Sequence, residues 1–104
     1  MTASFLGFGH KYLVNFVAFR VELSFAPPSL LTYTSIAADG TRGKSETVKI
    51  SIDDVSVDIF LVTWQEVDKT TVVHVEDFNR MTIVTNITNP DLSFEQHHGI
   101  FVEI

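Results

Sequence analysis

The chain has 104 residues, a formal net charge of -6, no cysteine, and 45 % apolar against 19 % charged residues. That length fits one domain, 1–104, and that composition excludes a disordered chain. The negative charge argues against nucleic-acid and anionic-lipid partners, and the missing cysteines exclude disulfides and thiolate chemistry.

A domain of this size buries only about two-thirds of its unfolded surface. A pocket and a solid core therefore compete for the same apolar side chains, and a homodimer is expected to supply further burial. No apolar run reaches the ~18 residues of a membrane helix. The start, MTASFLGFGHKY, lacks a basic stretch followed by a clean apolar core. A soluble, cytoplasmic protein is the expectation.

Val, Ile, Thr, Phe and Tyr dominate, and no window holds a 3.6-residue apolar period. Residues 1–9 read as a loose start. Strands are expected at His10 to Val17 and at Phe19 to Phe25, where Phe19, Val21, Leu23 and Phe25 alternate with polar residues. Pro27 and Pro28 end the second strand, since neither can donate to a ladder. Leu30 to Ala37 follows, then an Asp39-Gly40 turn. Glu46 to Ile52 faces Val48, Ile50 and Ile52 one way. Val55 to Glu66 reads as one long strand with a bend or bulge near Asp58. Thr70 to Asp77, Met81 to Thr88, Leu92 to Gln96 and Ile100 to Ile104 complete the set, with His97-His98-Gly99 separating the last two.

Eight or nine strands on short connections leave no room for crossover helices, so the sheet is antiparallel. To cover its apolar faces it rolls into a small β-barrel of about eight strands, with a β-sandwich as the alternative. Closure also removes exposed edges.

The polar residues inside β-rich runs carry the functional question. Trp64 and Glu66 share a face of their strand, and His74 and Glu76 share one on the next. A three-residue turn at Val67 to Lys69 pairs Val62 with His74 and Phe60 with Glu76; a two-residue turn separates them. A three-residue turn at Phe78 to Arg80 adds Thr82, Val84, Asn86 and Thr88 to the same face. If that face is internal, Trp64 supplies a flat wall and an indole donor, while Glu66, His74 and Glu76 are the candidates for acid–base catalysis. The opposing reading places these charged groups on the solvated wall or at the rim. Tyr12, Asn15, Trp64, Glu66, His74, Glu76 and Asn86 form the candidate ligand-binding set. Asn86 also begins Asn-Ile-Thr, a glycosylation pattern that a cytoplasmic protein leaves unmodified.

His10, His74 and one of His97 and His98 would form a three-His site if they converged. No HExxH or close His-x-His spacing supports this, and no metal or cofactor is expected. The phosphate-loop, dinucleotide and G-x-S-x-G motifs are absent.

The run FLVTWQEVDKTTVVHVEDF, the later TNIT and the upstream LTYTSIAADGTRGKSETVKI together resemble the MoaF family, from about Gly9 onward. The resemblance implies a lipocalin-like (calycin) barrel with a central pocket, and it places Trp64, Glu66, His74, Glu76, Asp77, Asn86 and Thr88 at recurring positions. It implies no particular reaction. Longer relatives carry two such units, and this chain has room for one. Three functions follow as expectations. One is binding of a small, partly apolar molecule. One is an isomerase, lyase or decarboxylase. One is a packed structural or assembly protein.

Overall fold

The computed structural model describes residues 5–104, and they contain no helix. Nine antiparallel strands make one sheet. They are β1 (Lys11–Asn15), β2 (Arg20–Ala26), β3 (Leu30–Ile36), β4 (Arg42–Lys49), β5 (Ser51–Ser56), β6 (Ile59–Gln65), β7 (Thr71–Asp77), β8 (Thr82–Thr88) and β9 (Phe94–Glu103). The order is β4-β3-β2-β1-β9-β8-β7-β6-β5. The β-sandwich alternative therefore falls away, because one continuous ladder joins all nine strands.

The sheet curls into a barrel-like wall, but the wall is not closed, contrary to the expectation. The two edge strands, β4 and β5, are consecutive in the chain and joined through the buried Ile50. They meet at that corner and then diverge, with no ladder between them among the described residues. Beyond the corner β4 approaches β6 across the opening.

Alternation along each strand sends one set of side chains inward. The fully or nearly fully buried set includes Val14, Leu23, Phe25, Leu31, Val62, Ile83 and Phe101. One end of the wall is solid. Phe5 is buried there, edge-on to Phe25 at 5.0 Å, to Phe60 at 5.1 Å and to Phe78 at 5.7 Å. Edge-to-face contacts of this kind fill a barrel end well, because each ring edge meets a neighbour's π face. The start of the chain is thus not loose from Phe5 onward; residues 1–4 lie outside the described residues. Around Tyr12, Leu23, Phe25, Glu76, Phe78 and Ile83 no space for a water molecule remains.

Four element boundaries differ from the sequence reading. Val55 to Glu66 is a hairpin rather than a bent strand: Ser56 pairs with Ile59, and Asp58 takes a φ of 60°. Asp tolerates that left-handed conformation better than a branched residue does. Glu46 to Ile52 is broken at Ile50, and β4 begins earlier, at Arg42. The two final strands are one, because Gly99 continues the ladder. An added Cβ at Gly99 would stand 2.7 Å from the Asn15 carbonyl oxygen and 2.7 Å from the Phe16 ring. Glycine here admits a close approach rather than a turn.

The fourth difference is a matter of register. The β6–β7 turn has the three-residue form, and Val62 faces His74 while Phe60 faces Glu76. The β7–β8 turn is longer than three residues: Asp77 pairs with Thr82, leaving 78–81 between them. Asp77 Oδ1 accepts from the backbone N–H groups of Asn79 and Arg80, and Met81 adopts a φ of 56°. One extra residue exchanges the faces of β8. Ile83, Thr85 and Ile87 point inward, and Thr82, Val84, Asn86 and Thr88 point out.

Candidate functional site

Opposite the aromatic plug the wall encloses a cavity of about 780 Å³ that opens to solvent between the sheet edges and the loops. A cavity of this size falls within the range of small-molecule sites. Phe16, Val21, Leu23, Trp64, Val72 and Ile87 give it a mainly apolar lining. Arg20, Arg42 and Lys44 also line it, and two further polar clusters stand out, one at the mouth and one at the floor.

The mouth cluster lies where β4 approaches β6. Tyr33 donates its hydroxyl to Glu46 Oε1 at 2.7 Å, and the Val67 backbone N–H donates to Glu46 Oε2 at 2.9 Å. Glu46 therefore ties the free edge of β4 to the β6–β7 turn, across the gap the ladder leaves open. Trp64 donates its indole N–H to Glu66 Oε2 at 3.2 Å. The Tyr33 and Trp64 rings stack with centroids 6.2 Å apart and planes 28° apart. Burial holds the Glu66 carboxyl above its ordinary range, against the lowering effect of the Trp64 and Tyr33 donors. Burial first, and then the neighbouring carboxylates, raise the Tyr33 hydroxyl well above its ordinary range.

The floor cluster is His74 with Glu76. His74 Nδ1 lies 3.0 Å from Glu76 Oε2, and the two side chains are only 4 % and 2 % exposed. Trp64 meets the His74 ring edge-on at 4.7 Å. Thr85 faces His74 across the β7–β8 ladder and lines the same cavity.

Of the seven residues expected to bind a ligand, Trp64, Glu66 and His74 line the cavity. Tyr12 and Glu76 point inward but belong to the packed layer beneath it. The Tyr12 hydroxyl is pushed up to about 12 by burial and by the nearby Glu103 and Glu76. Asn15 and Asn86 do not reach the cavity, which corrects the expectation for both. Asn15 lies on the outer wall, where its Oδ1 accepts from the Val17 N–H at 2.8 Å. Asn86 also faces outward, because of the β7–β8 register. It donates to the Val73 carbonyl at 3.2 Å and accepts from Gln96 at 2.7 Å.

The three acid–base candidates do not meet at one point. Glu66 is four residues along the chain from Val62, the residue that faces His74, whereas His74 and Glu76 are in direct contact. Nor do the histidines converge. His10 pairs with Glu103 at 2.7 Å, His97 with Glu95 at 3.0 Å, and His98 is exposed. Among the described residues no three His, Asp or Glu side chains are grouped to hold a metal.

Sequence reasoning missed Tyr33, Glu46, Phe16 and Thr85. Tyr33 was open to discovery, since it shares parity with the buried Leu31. Thr85 was hidden by the β8 register. Glu46 was hidden by the failure of the edges to pair, which no strand pattern reveals.

The fold and the hollow define a class: a small all-β, barrel-like domain with a largely apolar cavity. The chain belongs to the MoaF-like family, whose pattern matches residues 8–102. It is also similar to a solved structure from Burkholderia vietnamiensis with the provisional description of a beta-lactamase. The TM-score is 0.88 at 23 % identity, covering 95 % of this chain and 96 % of the other. At that identity the likeness shows the fold alone. No curated protein matches the chain.

Proposed function

We propose that this protein binds a small, flat, largely apolar molecule in the cavity between its sheet edges. The observation that carries this reading is the contrast between the two ends of one barrel-like wall. Aromatic rings fill one end until no water fits, while the other holds about 780 Å³ behind an apolar lining. A chain selected only to pack would not leave its single tryptophan, two phenylalanines and a tyrosine around a hollow, since unfilled volume costs stability. The packed structural reading is therefore disfavoured. A serine-dependent beta-lactam hydrolase is also disfavoured, because the chain contains no Ser-x-x-Lys sequence.

The test uses a hydrocarbon probe, diphenylhexatriene, whose absorption overlaps tryptophan emission. Saturable, one-to-one fluorescence with energy transfer from Trp64 is expected. Val21→Trp places bulk in the cavity and should weaken binding by about tenfold or more, with circular dichroism unchanged. Absence of saturable binding, or binding indifferent to Val21→Trp, overturns the proposal.

A further inference from the structure

His74 and Thr85 present two polar atoms to the cavity that the protein itself leaves available. The hydrogen bond to Glu76 uses His74 Nδ1 alone. Among the described residues no buried side-chain nitrogen or oxygen lacks a partner, so Nε2, which makes no protein hydrogen bond, is not sealed in the core. His74 lines the cavity. The same reasoning applies to the Thr85 hydroxyl. Among the described residues it makes no side-chain hydrogen bond and is not an orphan, and it lines the same cavity on a residue that is 1 % exposed. The two residues are direct cross-strand partners, which brings their Cβ atoms within roughly 4.5–5.5 Å. One ligand atom can reach both.

Chemistry fixes what that atom is. Where the Glu76 carboxylate accepts the hydrogen bond, Nδ1 is the donor, and the corresponding neutral tautomer of His74 leaves a lone pair at Nε2. A threonine hydroxyl donates or accepts. The complement is a group that donates to Nε2 and accepts from Thr85, namely a hydroxyl. The cavity lining carries both signs, Arg20, Arg42 and Lys44 beside Glu46 and Glu66, so the ligand class is set by the hydroxyl complement at His74 and Thr85 rather than by charge. The surrounding rings, Trp64 edge-on at 4.7 Å and Phe16 at 6.4 Å, favour a flat body.

We infer that His74 and Thr85 form a seat for the weakly acidic hydroxyl, phenolic or enolic, of a flat apolar ligand, with Glu76 as the positioning residue that keeps Nε2 an acceptor. If the ligand ionises there, its proton moves from oxygen to Nε2. The imidazolium so formed is held by Glu76, and the oxyanion by the Thr85 hydroxyl. This inference rests on the binding reading above and adds the chemical class of the ligand.

The experiment compares 2-naphthol with 2-methylnaphthalene, which has nearly the same shape and lacks the hydroxyl. Wild-type protein should bind the naphthol about tenfold more tightly, since leaving both polar atoms unmatched disfavours the hydrocarbon. Excited 2-naphthol gives up its proton to a contacting base, so the bound probe should emit as naphtholate. Thr85→Val should bring the affinity ratio towards one, weakening 2-naphthol while 2-methylnaphthalene binds at least as well as before. Glu76→Gln can donate its amide N–H to Nδ1 and turn Nε2 into a donor. It should abolish the naphtholate emission without weakening 2-methylnaphthalene.

Equal affinities in the wild type overturn the inference, as does a ratio that neither variant changes. Loss of 2-methylnaphthalene binding in either variant overturns it too, because the residue would then only shape the cavity. Diphenylhexatriene separates the two levels. If it binds and the hydroxyl preference is missing, only the seat fails. If no probe binds, the cavity reading fails with it.

Discussion

Replacing Gly99 by alanine adds one carbon and two hydrogens, yet it should be among the more damaging small changes in the chain. The added Cβ would sit 2.7 Å from the Asn15 carbonyl oxygen, some 0.7 Å inside ordinary contact, and equally close to the Phe16 ring. The ring can turn; the carbonyl cannot, because it belongs to the β1–β9 ladder in which Asn15 pairs with Ile100. Alanine for glycine restricts the unfolded chain, a gain of about 0.4–1 kcal/mol where the native site accepts it. Overpacking against fixed backbone costs about 1–3 kcal/mol. The loss should win by about 1–2 kcal/mol, which for a domain of this size lowers Tm by roughly 4–15 °C. Thermal and urea unfolding followed by circular dichroism measure it. Phe16→Leu on the Gly99→Ala background should recover part of the loss, since only the ring contact is relieved. Because Phe16 lines the cavity, Gly99→Ala should also weaken diphenylhexatriene binding. An unchanged or raised Tm would refute the reasoning, because the backbone approach at Gly99 would then carry no energy.

Glu66→Gln tests the mouth. Burial raises the Glu66 carboxyl, so its contribution to stability is present below the unfolded carboxylate range and is lost as pH rises through the folded value. The variant should gain on the wild type as pH increases from that range, and a Tm difference that does not vary with pH would be contrary. Asp77→Ala acts with the opposite sign. The N–H groups of Arg80 and Asn79 and the Arg80 guanidinium hold Asp77 below its ordinary range. Its contribution is therefore present at neutral pH and lost as pH falls through the folded value, and the stability gap between wild type and variant should close in acid. Asn86→Ala should leave diphenylhexatriene and 2-naphthol binding unchanged, since its bonds go to Val73 and Gln96 on the outer wall; a loss of affinity above about tenfold would speak against the β8 register.

Period-2 alternation, turn residues and the lack of any helical period already dictated an antiparallel all-β chain, and they narrowed the β6–β7 turn to two lengths, of which the structure takes the one that pairs Val62 with His74. Those features are local: each depends on side chains two residues apart or on one tight turn. Residue type also marked Trp64, Glu66 and His74, because polar or aromatic groups inside strands need a partner or a cavity.

Tertiary structure decided the rest. One additional residue in the turn after Asp77 moved Asn86 outward and Thr85 inward, a change of face that composition does not record. Gly99 looked like a break, yet it continues a strand because a neighbouring carbonyl and ring need its missing Cβ. The hollow itself exists because β4 and β5 meet only at Ile50 and leave Glu46 to bridge the gap. Where two edges stop pairing depends on curvature summed over nine strands, and no single segment of the chain encodes it.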